Sequence, residues 1–130
     1  MRSSQIAANL LYLVCAFQLA LVSGAPLGSL TQGGFDSGAL ETPARITAAI
    51  SLVLLFLMAQ VILALDGRGM AKSWNRKVIR ILAWVATTYS GIGILMNVAS
   101  PSLDEKLIWV PVTAAVFYLQ LRTLLRTRKA

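Results

Sequence analysis

Four long apolar stretches separated by short polar or glycine-rich segments set the pattern of this chain, at residues 5–24, 45–65, 78–99 and 107–125. Each has about the 20 residues that a helix rising 1.5 Å per residue needs to cross a hydrocarbon layer about 30 Å thick. Lipid offers no hydrogen-bond partner to a bare backbone, and the alternation of barrel strands is absent, so each stretch is expected to be a helix. The pattern predicts an all-α polytopic membrane protein: one domain over residues 1–130, a four-transmembrane-helix bundle with a long outer loop at 25–44.

Polar punctuation supports these boundaries. Thr42 before Pro43 reads as an N-cap with proline at the first helical position, and Ser102 with Glu105 reads as a capping box opening the fourth helix. Asp66-Gly67 and Gly69 read as the end of the second. Arg2, the run from Leu10 to Val22, and small Ser23 and Ala25 also imitate a cleavable signal peptide. The first stretch is longer than such a segment, and the expectation is a retained helix.

Charge adds an orientation. The chain holds 12 Lys and Arg against 5 Asp and Glu. Arg2, the group Arg68, Lys72, Arg76, Lys77 and Arg80, and the tail Arg122, Arg126, Arg128 and Lys129 fall on one side; only Arg45 and Lys106 fall on the other. The positive-inside rule then places both termini and the second loop in the cytoplasm, with a bacterial inner membrane as the expected location. Trp74 and Trp84 on the inner side and Trp109 on the outer side suit an interfacial aromatic belt. The basic residues flank apolar runs instead of interleaving with polar and aromatic ones, so no nucleic-acid partner is expected. Their surface suits anionic headgroups, which attract roughly 1 kcal/mol per basic residue.

Composition narrows the chemistry. With 57% apolar and 13% charged residues and a mean hydropathy of +0.71, the chain is too greasy for an ordinary soluble domain. It has no histidine and one cysteine, Cys15, so neither an internal disulfide nor a thiolate or imidazole metal cluster is available. No metal and no cofactor are expected.

Small residues at four-residue spacing mark faces where helix backbones approach closely. The first helix offers Ala16, Ala20 and Gly24, and the third offers Ala83, Thr87 and Gly91. These two helices are expected to form the tightest pair. Polar Gln18, Thr88 and Tyr89 are candidates for a crevice in the outer half, whereas Gln60 and Gln120 read as interhelical glue. No acid or base lies near the middle of a span, so an ion relay lacks its usual components.

Candidate chemistry gathers at the outer end. The loop from Gly24 to Leu40 is rich in glycine, and Leu27, Leu30, Phe35 and Leu40 are able to fold it over the bundle mouth as a lid; a flexible connector is the other reading. Arg45 stands at the start of the second helix, where the dipole disfavours a cation. It either snorkels to headgroups or pairs with Glu105 or Asp104 to orient a site with Asn97, Ser100 and Ser102. Asn97 also reads as a cap of the third helix. Glu105 and Asp104 are the candidate acid/base residues, since a carboxyl at an apolar boundary can act as a proton donor or acceptor.

The segments Gly24 to Gly28, Gly33-Gly34, Arg45, and the run Asn97, Ser100, Ser102, Glu105, Trp109 and Pro111 resemble the GAPxG, GG, arginine and NxxSxSxxExxxWxP elements of a group of small four-helix bacterial membrane proteins without an assigned activity. Leu27 stands where that group is expected to carry an aromatic residue, and Glu41-Thr42 interrupts the Leu-Pro expected before the arginine. The resemblance implies a four-helix membrane fold and no particular chemistry. Small multidrug transporters have a similar length and span number, but the glutamate expected in their first helix is absent here and the charge bias is strong.

The reading that follows first is an auxiliary or structural subunit of a larger membrane assembly, partnered by the lipid bilayer and by another membrane protein or a second copy. The alternative is a membrane-embedded enzyme of isomerase or cyclase type, or a binding protein, for an apolar lipid-like molecule at an outer-face site. There Arg45, Asn97, Ser100, Gln18 and Tyr89 would bind. A small transporter comes third.

Overall fold

The computed structural model describes residues 2–34 and 38–128; Phe35, Asp36 and Lys129 lie outside the described residues. Four long helices dominate: α1 (Ser3–Val22), α2 (Thr42–Ala64), α3 (Arg76–Val98) and α4 (Leu103–Arg126). All four are long and apolar enough to cross a membrane. The loop between α1 and α2 carries two 3-10 turns, Gly28–Leu30 and Gln32–Gly34.

Capping chemistry extends the helices beyond their apolar runs. Pro43 sits in the first turn of α2, where its missing N–H costs nothing, so the helix already begins at Thr42 and Glu41 takes the N-cap position expected of Thr42. Asn75 Oδ1 accepts from the N–H groups of Lys77 (2.9 Å) and Val78 (3.4 Å), which starts α3 at Arg76. Ser102 Oγ accepts from Glu105 N at 3.2 Å and starts α4 four residues before its apolar run. Only half of the expected capping box forms, because the Glu105 side chain bonds elsewhere.

The helix pairing differs from the expectation. α1 packs along α2 and α3 along α4, α4 closes against α1, and α2 meets α3 least closely, so α1 and α3 lie diagonally across the bundle. Ala7, Ala8 and Leu11 of α1 share a core with Ala59 and Ile62 of α2, Ile79 and Ala83 of α3, and Leu124 of α4. Gly91 admits α4: a Cβ there would stand 3.2 Å from the Phe117 ring, and one at Gly93 would stand 3.3 Å from Thr113 Cγ2. Of the remaining stripe residues, Ala83 and Thr87 are buried, Ala20 is half-buried and Ala16 is exposed. Thr87 Oγ1 donates to Ala83 O at 2.8 Å within its own helix. Spacing identified faces that pack, but small residues do not say which helix meets them.

At the end of the bundle that carries both termini, Asp66 gathers three segments. Arg126 donates to both of its oxygens (2.9 and 2.7 Å), Arg2 donates at 3.1 Å, and the buried Ser4 hydroxyl also donates to it. The Asp66 side chain is only 2% exposed. Nearby, Thr123 donates to Leu119 O (2.7 Å), so Ser3 is the donor in its 2.7 Å bond to Thr123. Arg76 donates to the carbonyls of Ala64 (3.1 Å) and Leu65 (3.0 Å), and Arg80 donates to those of Leu124 (3.3 Å) and Thr127 (3.3 Å). Two arginines of α3 thereby close the C-termini of α2 and α4, where carbonyls have no partner within the helix.

The interhelical bonds of the two core glutamines also differ. Gln60 donates to the Tyr12 hydroxyl (2.7 Å) and accepts from Met70 N (2.9 Å), linking α1, α2 and the loop after α2. Gln120 is fully buried, yet its amide has no hydrogen-bond partner among the described residues, so it is not the glue that its position suggested.

Burial alone would raise the pKa of Asp66, but the hydrogen bonds from Arg126, Ser4 and Arg2 and the charge of Arg126 outweigh it and hold the carboxyl at about 2. Because the folded value lies below the unfolded 3.8, the stabilisation is complete above that unfolded value and is lost as pH falls through about 2. Thermal unfolding of the protein in lipid nanodiscs should show this acid-limb loss. In Asp66→Asn that part of the pH dependence should vanish, and the variant should be less stable at neutral pH by roughly 1–2 kcal/mol, an amount reduced by the solvent around both arginines.

Candidate functional site

The first turn of α4 anchors the opposite end. Glu105 faces inward there and is 7% exposed. Its Oε2 accepts from Ser100 Oγ at 2.8 Å and from the backbone N–H of Gly33 at 3.0 Å. The N-terminal end of a helix dipole favours a negative group at this position. Among the described residues, the hydrogen bonds to this side chain fall on Oε2.

Glu105 is one of several points that pin the loop. Ser102 Oγ donates to Ser29 O (2.9 Å), and Trp109 Nε1 donates to Leu30 O (2.6 Å). Gln32 Nε2 donates to Ala44 O (2.9 Å), and Gly28 N donates to Gly38 O (2.9 Å). Gly33 and Gly34 adopt φ of +83° and +72°, which an L side chain rarely takes. At Gly34 a Cβ would stand 2.7 Å from Ser102 Cβ, so only glycine lets the loop approach α4 this closely. Leu40 is buried and Leu27 packs partly against it, as expected of a lid. Over its described residues this loop folds over the end of the bundle as a cover.

Beneath the cover lies a half-open cavity of about 250 Å³ walled by all four helices, its α3 wall including the exposed Tyr89, Ile92 and Met96. Thr31 of the cover, Glu105 and Trp109 of α4, Asn97 and Tyr89 of α3, Gln18 of α1 and Ser51 of α2 contribute polar groups. Leu11, Phe17, Leu55, Met58, Val112 and Val116 supply most of the apolar wall. Phe17 and Trp109 stack in tilted fashion with centroids 4.7 Å apart. A polar-dotted apolar chamber of this kind is the usual form of a small-molecule site.

The sequence-derived candidates divide cleanly. Glu105, Asn97, Gln18 and Tyr89 all line the cavity. Ser100 touches it through Glu105. Asn97 is not a helix cap: its Nδ2 donates to Thr113 Oγ1 at 2.9 Å and ties α3 to α4, while Ala99 ends the helix. Thr88 is exposed and donates to Trp84 O (2.9 Å), outside the crevice. Asp104 is exposed and absent from the cavity lining.

Arg45 makes no ion pair with Glu105 or Asp104; among the described residues every ion pair falls on Asp66. Its Nε donates to Leu40 O at 2.9 Å, and its guanidinium lies over Gly24, where a Cβ would stand 2.9 Å from Nη2. Gly24, with φ +99°, is therefore a seat for Arg45 and not a packing position between helices. The arginine fastens the two ends of the cover.

Sequence reasoning missed three contributors. Gly33 acts through its backbone N–H, which no side-chain pattern reveals. Thr113 and Ser51 are single hydroxyls in apolar helices and carry no local signal. Trp109 was legible as an interfacial aromatic, but its N–H bond to the cover depends on how the loop folds.

Trp109→Phe should keep the ring on Phe17 and delete only the donor to Leu30. Hydrogen–deuterium exchange of residues 28–34 should then rise about fivefold, the factor carried by one net hydrogen bond of about 1 kcal/mol, with little change in the exchange of α2. Unchanged loop exchange would show that this bond does not hold the cover.

Compared with known protein families, curated proteins and solved structures, the chain matches none of them.

Proposed function

We propose that this chain is an integral membrane protein of the inner membrane, with both termini cytoplasmic, that binds one apolar, lipid-like molecule beneath a cover at its outer end. The observation that carries the reading is the 250 Å³ cavity walled by all four helices, with Glu105 buried in it. A buried acidic side chain costs free energy unless its oxygens find donors, and Ser100 and Gly33 satisfy one of them. The orientation rests on the distribution of basic residues, with only Arg45 and Lys106 at the covered end.

Binding is better supported than catalysis. The described lining holds one carboxyl side chain, Glu105, and no second carboxyl, lysine or arginine to complement it in proton transfer. An accessory-subunit role draws on the exposed apolar helix faces, but lipid covers such faces equally well.

Native mass spectrometry of protein extracted gently from its own membrane should record one small apolar molecule bound per chain. Ser51→Phe fills the cavity from α2 and should reduce that occupancy at least about tenfold while thermal stability is retained. A chain that emerges empty, or that emerges only as a fixed-ratio complex with another protein and an empty cavity, would overturn the binding reading.

A further inference from the structure

A second, almost wholly apolar cleft of about 390 Å³ runs between α2 and α3. Leu54, Leu57 and Val61 form one wall, and Leu82, Val85 and Ala86 form the other. Met58 and Tyr89 line both this cleft and the central cavity, so the two spaces adjoin at that pair. The cleft follows the seam where the helices pack least closely, and it descends from Tyr89 past Leu82, about two turns or roughly 10 Å along α3.

The two spaces differ in chemistry. The central cavity presents Glu105, Asn97 and Gln18, and no lysine or arginine belongs to its lining. An anionic head there would face Glu105 with no lysine or arginine in the described lining to neutralise it, whereas a head that donates hydrogen bonds finds an acceptor in its carboxyl group. The cleft offers nothing polar and suits a hydrocarbon tail. Its open side faces outward between α2 and α3, where Leu54 and Leu57 are exposed.

We infer that the ligand is a single-chain amphiphile with a neutral or cationic hydrogen-bond-donating head, an alcohol or an amine, held at Glu105 in the central cavity, and with its tail in the α2–α3 cleft. This assignment rests on the binding function proposed above and names its ligand class. The joint volume of the two spaces falls in the range of roughly 300–1,000 Å³ typical of small-molecule sites. Lateral entry from the bilayer through the α2–α3 seam leaves the cover in place.

The test uses the full chain in lipid nanodiscs, loaded with equal amounts of dodecylamine, dodecanol and dodecanoate and read by native mass spectrometry. The amine and the alcohol should be retained about tenfold more than the carboxylate, and hexadecyl forms should exceed octyl forms. Val85→Trp, at an exposed position on the cleft wall, should abolish the preference for the longer chain and leave octyl binding intact. Glu105→Gln should lose the amine about tenfold while keeping the alcohol, a result that also reports a folded site. Equal retention of the carboxylate, or a chain-length preference that survives Val85→Trp, would overturn this ligand class and leave binding in the cavity standing. Retention of none of the probes by the unaltered protein, or retention insensitive to Ser51→Phe, would overturn the cavity reading itself.

Discussion

A helix in hydrocarbon satisfies its own backbone everywhere except at its first amides and last carbonyls, and the polar side chains of this protein are placed where those ends fall. Arg76 and Arg80, side by side at the start of α3, reach the open carbonyls of α2 and α4. Asp66, just past the end of α2, collects the start of α1 through Arg2 and Ser4 and the end of α4 through Arg126. Ser102 and Glu105 do the corresponding work at the start of α4. Residues whose number and sign orient a chain across a membrane thus also fasten its helix ends. An arginine suits both tasks because its planar donors can bond two carbonyls at once while its charge stays near water.

With the ends fixed, packing decides where space remains. α1 and α2 approach through alanines such as Ala7, Ala8 and Ala59, and α3 and α4 approach through Gly91 and Gly93. The α2–α3 seam is less closely packed, and the cleft along it is lined by Leu54, Leu57, Leu82 and Val85 among others. Two tight hairpins joined loosely along one side leave a cleft, which adjoins the central cavity at Met58 and Tyr89. The cleft follows from unequal packing of the seams, with no strained element needed to create it.

The spans were legible because length and hydropathy are constrained directly by the bilayer, and the Ser102 cap was legible because its signal is local. Pairing was not, since the Ala16 and Ala83 stripes state how close a neighbour can come and leave its identity to the remaining helices. Asp66 read as a helix terminator, and its role as a hub depends on Arg2 and Arg126, 64 and 60 residues away in sequence. Glu105, Asn97, Gln18 and Tyr89 were recoverable as polar groups in apolar surroundings, and the structure brings all four to one cavity. Arg45 was recoverable only as an oddity. An arginine at a helix start signals that something must accept its protons, and here the acceptor is a loop carbonyl, which no sequence pattern distinguishes from a carboxylate.

Glu105 joins the cover to the cavity, because one oxygen accepts from Gly33 of the cover and the side chain also lines the chamber. A ligand that leaves Ser100 and Gly33 bonded to Oε2 is compatible with closure of the cover. A group that displaced Gly33 would instead cost the cover one of its fastenings, leaving the bonds from Ser102 to Ser29, Trp109 to Leu30, Gln32 to Ala44 and Arg45 to Leu40 to hold it. The carboxyl therefore sets a geometric condition on what can sit beneath the cover. A ligand must approach from the cavity side, where the seam between α2 and α3 already opens, and it must bring a donor instead of competing for one.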